Sequence, residues 1–403
     1  MKTIVNYPLT DAIQWMVLFG AFTERWYELS IVVLVSVIIF WRTMDLHFSK
    51  NLLLLFSIIS IFSIFSITYI GYTYDKFTQQ VITLFLIVVC YYNFFRFIDR
   101  NIDSLFKKYL KIIYIIAMMG LLQFFIYALT GYNIFSFLYD VRTFLVAPRV
   151  MRATSILKEP SEFSVLLIPS LTYFLFKQRK ENKDTKYKII LLSAILVSFS
   201  TTAYVILVLI FIYKYFFYIK NILLRSFAII FVIIIILYIY LNETKVEGVM
   251  DSGPLRNTER HITQTLEAFS NMNPASFEAL NLSTYATMTN LWVSINSPMR
   301  LIGTGLGTHV QNYKSQYESE FRYYGLNSED AYSLAVRIYS EMGLVGFILS
   351  IIFLIINFNK RNPINIGFAF LLLSQMIRGG HYFRYGLVMY IFMYYFTGKS
   401  YNK

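Results

Sequence analysis

Apolar positions in this chain fall in long, nearly unbroken runs. They show neither the two-residue alternation of a half-buried strand nor the single apolar stripe of a surface helix. Cut at charged residues and at Gly, Pro or Asn, the runs give about twelve segments. They lie near 9–24, 27–41, 51–70, 77–95, 109–130, 162–176, 189–200, 202–219, 226–241, 331–356, 364–378 and 385–397. A helix of about 20 apolar residues crosses a bilayer, and helices satisfy their own backbone polar groups there. The pattern therefore predicts an all-α polytopic membrane protein with about twelve transmembrane helices, forming a single integral membrane domain over 1–403. The first segment carries Asp11 and ends at Glu24-Arg25, and several others are short, which implies tight turns or helices partly sunk in the fold. No cleavable signal peptide is read at the N-terminus. No internal repeat is evident, which disfavours the common inverted-repeat transporters.

Two polar gaps are too long to be turns. One covers 131–161. The other covers 242–330, a large external loop between helices nine and ten. Neither backbone can lie in lipid, and structureless connections of this length usually carry function.

Composition sharpens this reading. Hydrophobic residues make up 57% and charged residues 15%, against about 45–50% and about 25% in soluble chains. With 19% aromatic residues and few Gly or Pro, disordered and collagen-like classes are excluded. The lone Cys90 allows no disulfide framework, and His47, His261, His309 and His381 are widely separated, so no metal site and no cofactor is expected. The net charge of +13 raises nucleic acid as a partner. Membrane topology explains it better, because Lys and Arg collect in cytoplasmic loops. With both termini inside, the inside segments hold 21 basic and five acidic residues, a balance of +16, and the rest of the chain comes to −3. The basic run Lys177–Lys188 then reads as a cytoplasmic loop, and nucleic acid is not an expected partner.

Candidate chemistry gathers on the other side. The gap at 131–161 contains Arg142, Arg149, Arg152 and Lys158, four basic residues within 17 positions where basic residues should be rare. They lead into Glu159-Pro160-Ser161-Glu162, a helix start with Ser161 as its expected cap. Arginine offers a planar paired donor suited to phosphate or diphosphate; a loop paired with its own acids is the plainer alternative. In the large loop, Gly303-Thr-Gly305-Leu-Gly307-Thr-His309 suggests close backbone approach to a ligand, or a simple Gly-rich turn, with His309 as an acid–base candidate. Asp330, Arg337 and Glu341 fall within about 40° of one another on a helix and predict one charged stripe entering the membrane. Intramembrane charges of this kind are functional candidates, although Arg337–Glu341 also suits a structural i,i+4 pair. Arg378-Gly-Gly-His381-Tyr-Phe-Arg384 forms the last external turn.

These pieces, in this order, resemble the superfamily of Wzy-type O-antigen polymerases and O-antigen ligases. Arg152-Ala-Thr-Ser155 with Glu159-Pro160-Ser161-x-Phe163 resembles its external Arg motif. Leu301-Ile-Gly303-Thr-Gly305-Leu-Gly307 resembles its Gly turn, and Glu341-Met-Gly343-Leu-Val-Gly346-Phe347 the helix that follows. The family often has a second Arg about twenty residues before the Gly turn. Here that stretch reads Leu282-Ser283-Thr284-Tyr285, leaving Arg256, Arg260 or Arg300 as substitutes. Asp330 stands where ligases often have His, which favours polymerase.

The resemblance implies a GT-C-like, metal-independent glycosyltransferase of the bacterial cytoplasmic membrane. It would move a growing glycan from undecaprenyl diphosphate onto a lipid-linked repeat unit at the outer face. Its partners would be that lipid-linked oligosaccharide, membrane lipids, a flippase and a chain-length regulator. The expected diphosphate ligands are Arg142, Arg149, Arg152, Arg337, Arg378 and Arg384. His309, Asp330 and Arg152 carry the chemistry, supported by Glu159, Glu341, His381, Gly303 and Gly305. A ligase using another acceptor, or a polysaccharide or lipid flippase, are the alternatives.

Overall fold

The computed structural model describes residues 7–23, 25–137, 143–177, 182–218, 264, 267–270, 272–383 and 386–399. Five helices come first: α1 (Tyr7–Ala21), α2 (Arg25–Thr43), α3 (Lys50–Ile70), α4 (Asp75–Phe97) and α5 (Ile102–Thr130). An antiparallel hairpin of β1 (Leu145–Ala147) and β2 (Val150–Met151) follows. Then come α6 (Pro160–Phe176), α7 (Asn182–Val197) and α8 (Thr201–Tyr218). Beyond a stretch outside the described residues lie three short helices, α9 (Pro274–Phe277), α10 (Leu282–Ile295) and α11 (His309–Gln316). The chain closes with α12 (Leu334–Ile356), α13 (Pro363–Ile377) and α14 (Leu387–Lys399). Among the described residues α3, α4, α5 and α12 are long and apolar enough to cross a membrane, and α6, α8, α13 and α14 are shorter apolar helices. This is the helix composition of a membrane protein.

Helices occupy the predicted apolar segments up to residue 218 and again from 334 onward, and the segment 226–241 lies outside the described residues. The boundaries follow local caps. Asn101 starts α5 seven residues earlier than the apolar run, its side chain accepting from Ser104 N at 3.2 Å. Gly131, left-handed at φ 73°, ends that helix with its amide on the Tyr127 carbonyl. Asn362 caps α13 through Ile364 N at 2.9 Å, with Pro363 in the first turn. Part of the predicted Lys177–Lys188 loop is helical, because α7 begins at Asn182, and Lys177 reaches Asp184 at 3.5 Å.

Two close approaches fix the centre of the bundle. A Cβ on Gly367 of α13 would sit 2.8 Å from the Pro169 carbonyl oxygen of α6. One on Gly120 of α5 would lie 2.3 Å from the Phe163 ring. Gly367 lets α13 touch α6 backbone to backbone, as helix pairs in lipid commonly do, and Gly120 makes room for the Phe163 ring. The start of α6 and the end of α13 line one cavity. A separate aromatic core, containing Phe277, Tyr285, Tyr313 and Tyr317, holds α9–α11 together.

Helix α12 is broken at Gly343 (φ 65°, ψ −167°). The Gly-rich turn before α11 docks into this break. Leu344 N and Val345 N donate to the Arg300 and Leu301 carbonyls at 2.9 and 3.1 Å, while Thr304 N and Gly305 N donate to the Ser340 and Glu341 carbonyls at 3.0 and 2.9 Å. Turn and helix thus satisfy each other's freed backbone groups, as any break at membrane depth requires. Cβ atoms on Gly303 and Gly343 would each come within 2.3 Å of the facing backbone. Gly303 and Gly305 therefore serve helix docking, and the backbone approach read from the sequence is to protein.

Candidate functional site

Arg152 is positioned by three elements. Its amide donates to the Phe144 carbonyl at 2.7 Å, and its Nε to the Ser198 carbonyl at 3.3 Å beyond the end of α7. The next residues are held by buried Gln123 of α5, whose Oε1 accepts from Thr154 N and Ser155 N at 2.9 and 2.8 Å. Ser155 is left-handed, at φ 55°. The Arg152–Ser155 segment is thus fixed through a glutamine 29 residues upstream of the arginine. Arg149, by contrast, sits exposed at the hairpin turn, also left-handed.

Beside Arg152 lies a cavity of about 80 Å³. Glu159, Ser161 and Glu162 from the start of α6 line it, with Thr202 at the start of α8, Asn327, Asp330 and Tyr332 ahead of α12, and Gln375, Arg378 and Gly379 at the end of α13. Arg378 Nη2 lies 3.7 Å from Glu159 Oε2, which also accepts from Ser161 Oγ at 3.1 Å. The Arg378 guanidinium stands 5.3 Å from the centre of the Tyr332 ring. Asp330 Oδ1 accepts from Tyr332 N at 3.0 Å, and Oδ2 is 3.6 Å from His381 Nε2. Burial first, then neighbouring Arg378, lower the Arg152 pKa below the usual guanidinium value, while Glu159 opposes them. Two nearby cations that repel one another favour an anion placed between them.

The predicted residues separate on this geometry. Glu159, Asp330 and Arg378, distant in sequence, line one cavity, with His381 against Asp330 and Arg152 close enough to Arg378 and Glu159 for their charges to act on it. Arg142 and Arg384 lie outside the described residues, as do Arg256 and Arg260. Arg300 is exposed in the Gly turn. The expected stripe of Asp330, Arg337 and Glu341 does not form: Ala331 and Tyr332 are left-handed, Ser333 caps α12, and Asp330 stands outside the helix.

Arg337 and Glu341 are on α12 but enclosed, with 2% and 1% exposure. Arg337 Nε donates to Glu341 Oε1 at 3.1 Å and Nη1 to the Gly380 carbonyl at 3.0 Å. Tyr382 OH donates to Glu341 Oε2 at 3.0 Å, and its ring lies 4.4 Å under the Arg337 guanidinium. Arg337 is therefore engaged by protein rather than presented to a diphosphate.

His309 is likewise placed away from the cavity mouth. It has no exposed surface; Nδ1 pairs with Ser340 Oγ and Nε2 with Asn290 Oδ1, each at 2.8 Å. Burial, with Arg337 nearby, lowers its pKa to about 3. A ring fully engaged inside the protein ties α10, α11 and α12 together and reaches no acceptor hydroxyl in this conformation.

Sequence reasoning missed Gln123, Thr202, Tyr332 and Gln375. Gln123 and Gln375 carried a usable signal, since each is a polar amide inside an apolar run.

An apolar space adjoins these elements. Two cavities of about 600 and 950 Å³ share Leu55 and Ile59 of α3, Leu334, Ile338 and Met342 of α12, and Ile391 of α14. Helix α3 is tied near its ends. Leu306 N donates to Ser63 Oγ at 3.1 Å on one side, and His47 N to Asn93 Oδ1 at 2.9 Å on the other. Neither a protein-family model nor a curated protein matches the chain.

Proposed function

We propose that the chain is a metal-independent polysaccharide polymerase of the bacterial cytoplasmic membrane, moving a growing glycan from a polyprenyl diphosphate to a lipid-linked repeat unit at the outer face. The observation that carries this reading is the cavity lined by Arg378, Glu159 and Asp330, with Arg152 near enough to Arg378 and Glu159 for their charges to act on it. A diphosphate departing from a sugar develops negative charge, and fixed cations at that point stabilise it. The apolar space along α3 suits the carrier chain.

In this reaction the acceptor hydroxyl oxygen bonds to the anomeric carbon. The bond from that carbon to the diphosphate oxygen breaks, and the electron pair leaves with the diphosphate toward Arg152 and Arg378. The hydroxyl proton passes to Asp330, which the Tyr332 amide and His381 orient. Glu159 holds Arg378 in place. His309 takes no part in the proton transfer.

Deleting the gene in its host tests the reading. The deletion strain is expected to accumulate lipid carrying a single repeat unit exposed on the outer face, with polymer lost. Accumulation of the same lipid on the inner face would instead assign a flippase. Normal polymer missing only its attachment to a final acceptor would assign a ligase.

A further inference from the structure

Two buried ionisable side chains sit in the helix bundle with no ligand role in the reaction above. One is Arg337. The other is Glu28 on α2, 1% exposed. Charges at membrane depth are expensive, and those retained generally serve function. Each acts on the same stretch of backbone. Arg337 Nη1 donates to the Gly380 carbonyl at 3.0 Å. Glu28 Oε2 accepts from Gly386 N at 3.2 Å, and its Oε1 accepts from Tyr91 OH at 2.6 Å. Among the described residues no cationic side chain forms an ion pair with Glu28. A cation therefore holds a carbonyl near one end of the α13–α14 turn, and a buried carboxyl group holds an amide at its other end.

The described part of that turn, Arg378–Phe383 and Gly386, carries Arg378 and His381. It is packed tightly at its first end. Gly379 N donates to the Tyr332 carbonyl at 2.9 Å, and a Cβ on Gly380 would lie 1.4 Å from the Asp330 carbonyl oxygen. Tyr382, in the same turn, binds Glu341, the partner of Arg337. A displacement of this turn would thus move Arg378 relative to Arg152 and His381 relative to Asp330.

We infer that Arg337 and Glu28 are positioning residues, holding the connection between α13 and α14 at Gly380 and at Gly386 so that Arg378 and His381 are set in advance for the diphosphate and the acceptor. The inference rests on the proposed reaction. It turns two costly buried ionisable groups into a device for preorganisation, where small misplacements cost rate steeply.

The test uses the full-length protein in lipid nanodiscs. Its substrate is lipid-linked repeat unit extracted from the deletion strain, and inorganic pyrophosphate is the competing probe. Arg337→Gln and Glu28→Leu are expected to raise KM for the lipid and the inhibition constant of pyrophosphate together, by about 10- to 100-fold. Glu28→Gln keeps an acceptor for Gly386 N and is expected to stay near the wild-type values. A merely structural role would lower kcat through loss of folded enzyme and leave both constants unchanged.

Where Arg337→Gln does not accumulate, the double variant Arg337→Met/Glu341→Met removes both charges while keeping side-chain volume, and leaves the Gly380 carbonyl unheld. It is expected to accumulate and to show the same raised constants. Unchanged constants in the Arg337 variants, or in Glu28→Leu, would overturn the inference. Arg378→Ala separates this outcome from failure of the reaction itself. If Arg378→Ala transfers glycan as well as wild type, the proposed site is wrong. If it is inactive while the clamp variants keep wild-type constants, only the clamp is wrong.

Discussion

Glu341→Ala offers a quantitative probe of the buried charges. In the native protein the Glu341 side chain is fully enclosed and receives Arg337 Nε and Tyr382 OH. Truncation leaves the guanidinium with the Gly380 carbonyl and the Tyr382 ring, but without its counter-charge. Breaking a buried pair by removing one partner costs about 3–5 kcal/mol. Replacing both partners by apolar groups of similar volume is often neutral, because no desolvated charge remains. Unfolding by SDS titration in mixed micelles, beside membrane abundance, should therefore show Glu341→Ala strongly destabilised and Arg337→Met/Glu341→Met close to wild type. The double variant should recover stability without recovering transfer, since the Arg378 turn has lost its clamp. A loss below about 1 kcal/mol in Glu341→Ala, the level of an exposed pair, would refute the reasoning, as would a double variant no more stable than the single one.

Arg152→Ala and Arg378→Ala should each abolish polymer at normal protein level, and Arg152→Lys should still impair it because the paired planar donor is lost; glycan ladders beside immunoblots decide this. His309 is held neutral, because burial, with Arg337 nearby, lowers its folded pKa from the usual 6.5 to about 3. Its contribution to stability is thus present above pH about 6.5 and is lost at about 1.4 kcal/mol per pH unit as acid approaches the folded value. Thermal melts between pH 7 and 5 should show that slope in wild type and a shallower one in His309→Gln, and equal slopes would show that the ring is protonated in the fold. Gly303→Ala must fit a Cβ 2.3 Å from the Glu341 carbonyl carbon at φ 80°, so a loss of about 1–3 kcal/mol is expected in the same SDS titration. A cysteine at Ser276 should label with an impermeant thiol reagent in intact cells while one at Lys183 resists, and the reverse pattern would put the proposed site on the cytoplasmic side.

The helices were legible because apolar runs of this length have few other uses, and the site was legible where charge opposed topology. Arg152, Glu159, Asp330, Arg378 and His381 stood out as ionisable residues in segments expected on the side that basic residues avoid; Glu159, Asp330 and Arg378 line one cavity, with His381 against Asp330 and Arg152 near Arg378. Burial was not legible. His309, Arg337 and Glu341 have the same residue types and a similar spacing, yet each is enclosed by partners from distant segments such as Asn290, Gly380 and Tyr382. The helical stripe failed for a local reason, because left-handed Ala331 and Tyr332 separate Asp330 from α12. The Gly run called for close backbone approach, and the sequence could not tell that a break at Gly343 supplies the approaching surface. Glu28 had a visible signal as an acid inside the apolar run at 27–41, but the target of its carboxyl group, an amide 358 residues away, emerges only from the packed bundle.

The central claim is that one cavity, flanked by Arg152 and lined by Arg378, transfers glycan from a lipid diphosphate without a metal. The most direct measurement is reconstitution of the purified protein in nanodiscs with lipid-linked repeat unit from the deletion strain, in buffer containing a strong chelator. The wild type should convert the single-unit lipid into a ladder of longer glycans and release carrier diphosphate, and Arg378→Ala should leave the single unit untouched. No ladder from active-grade wild-type protein, or an undiminished ladder from Arg378→Ala, would contradict the account.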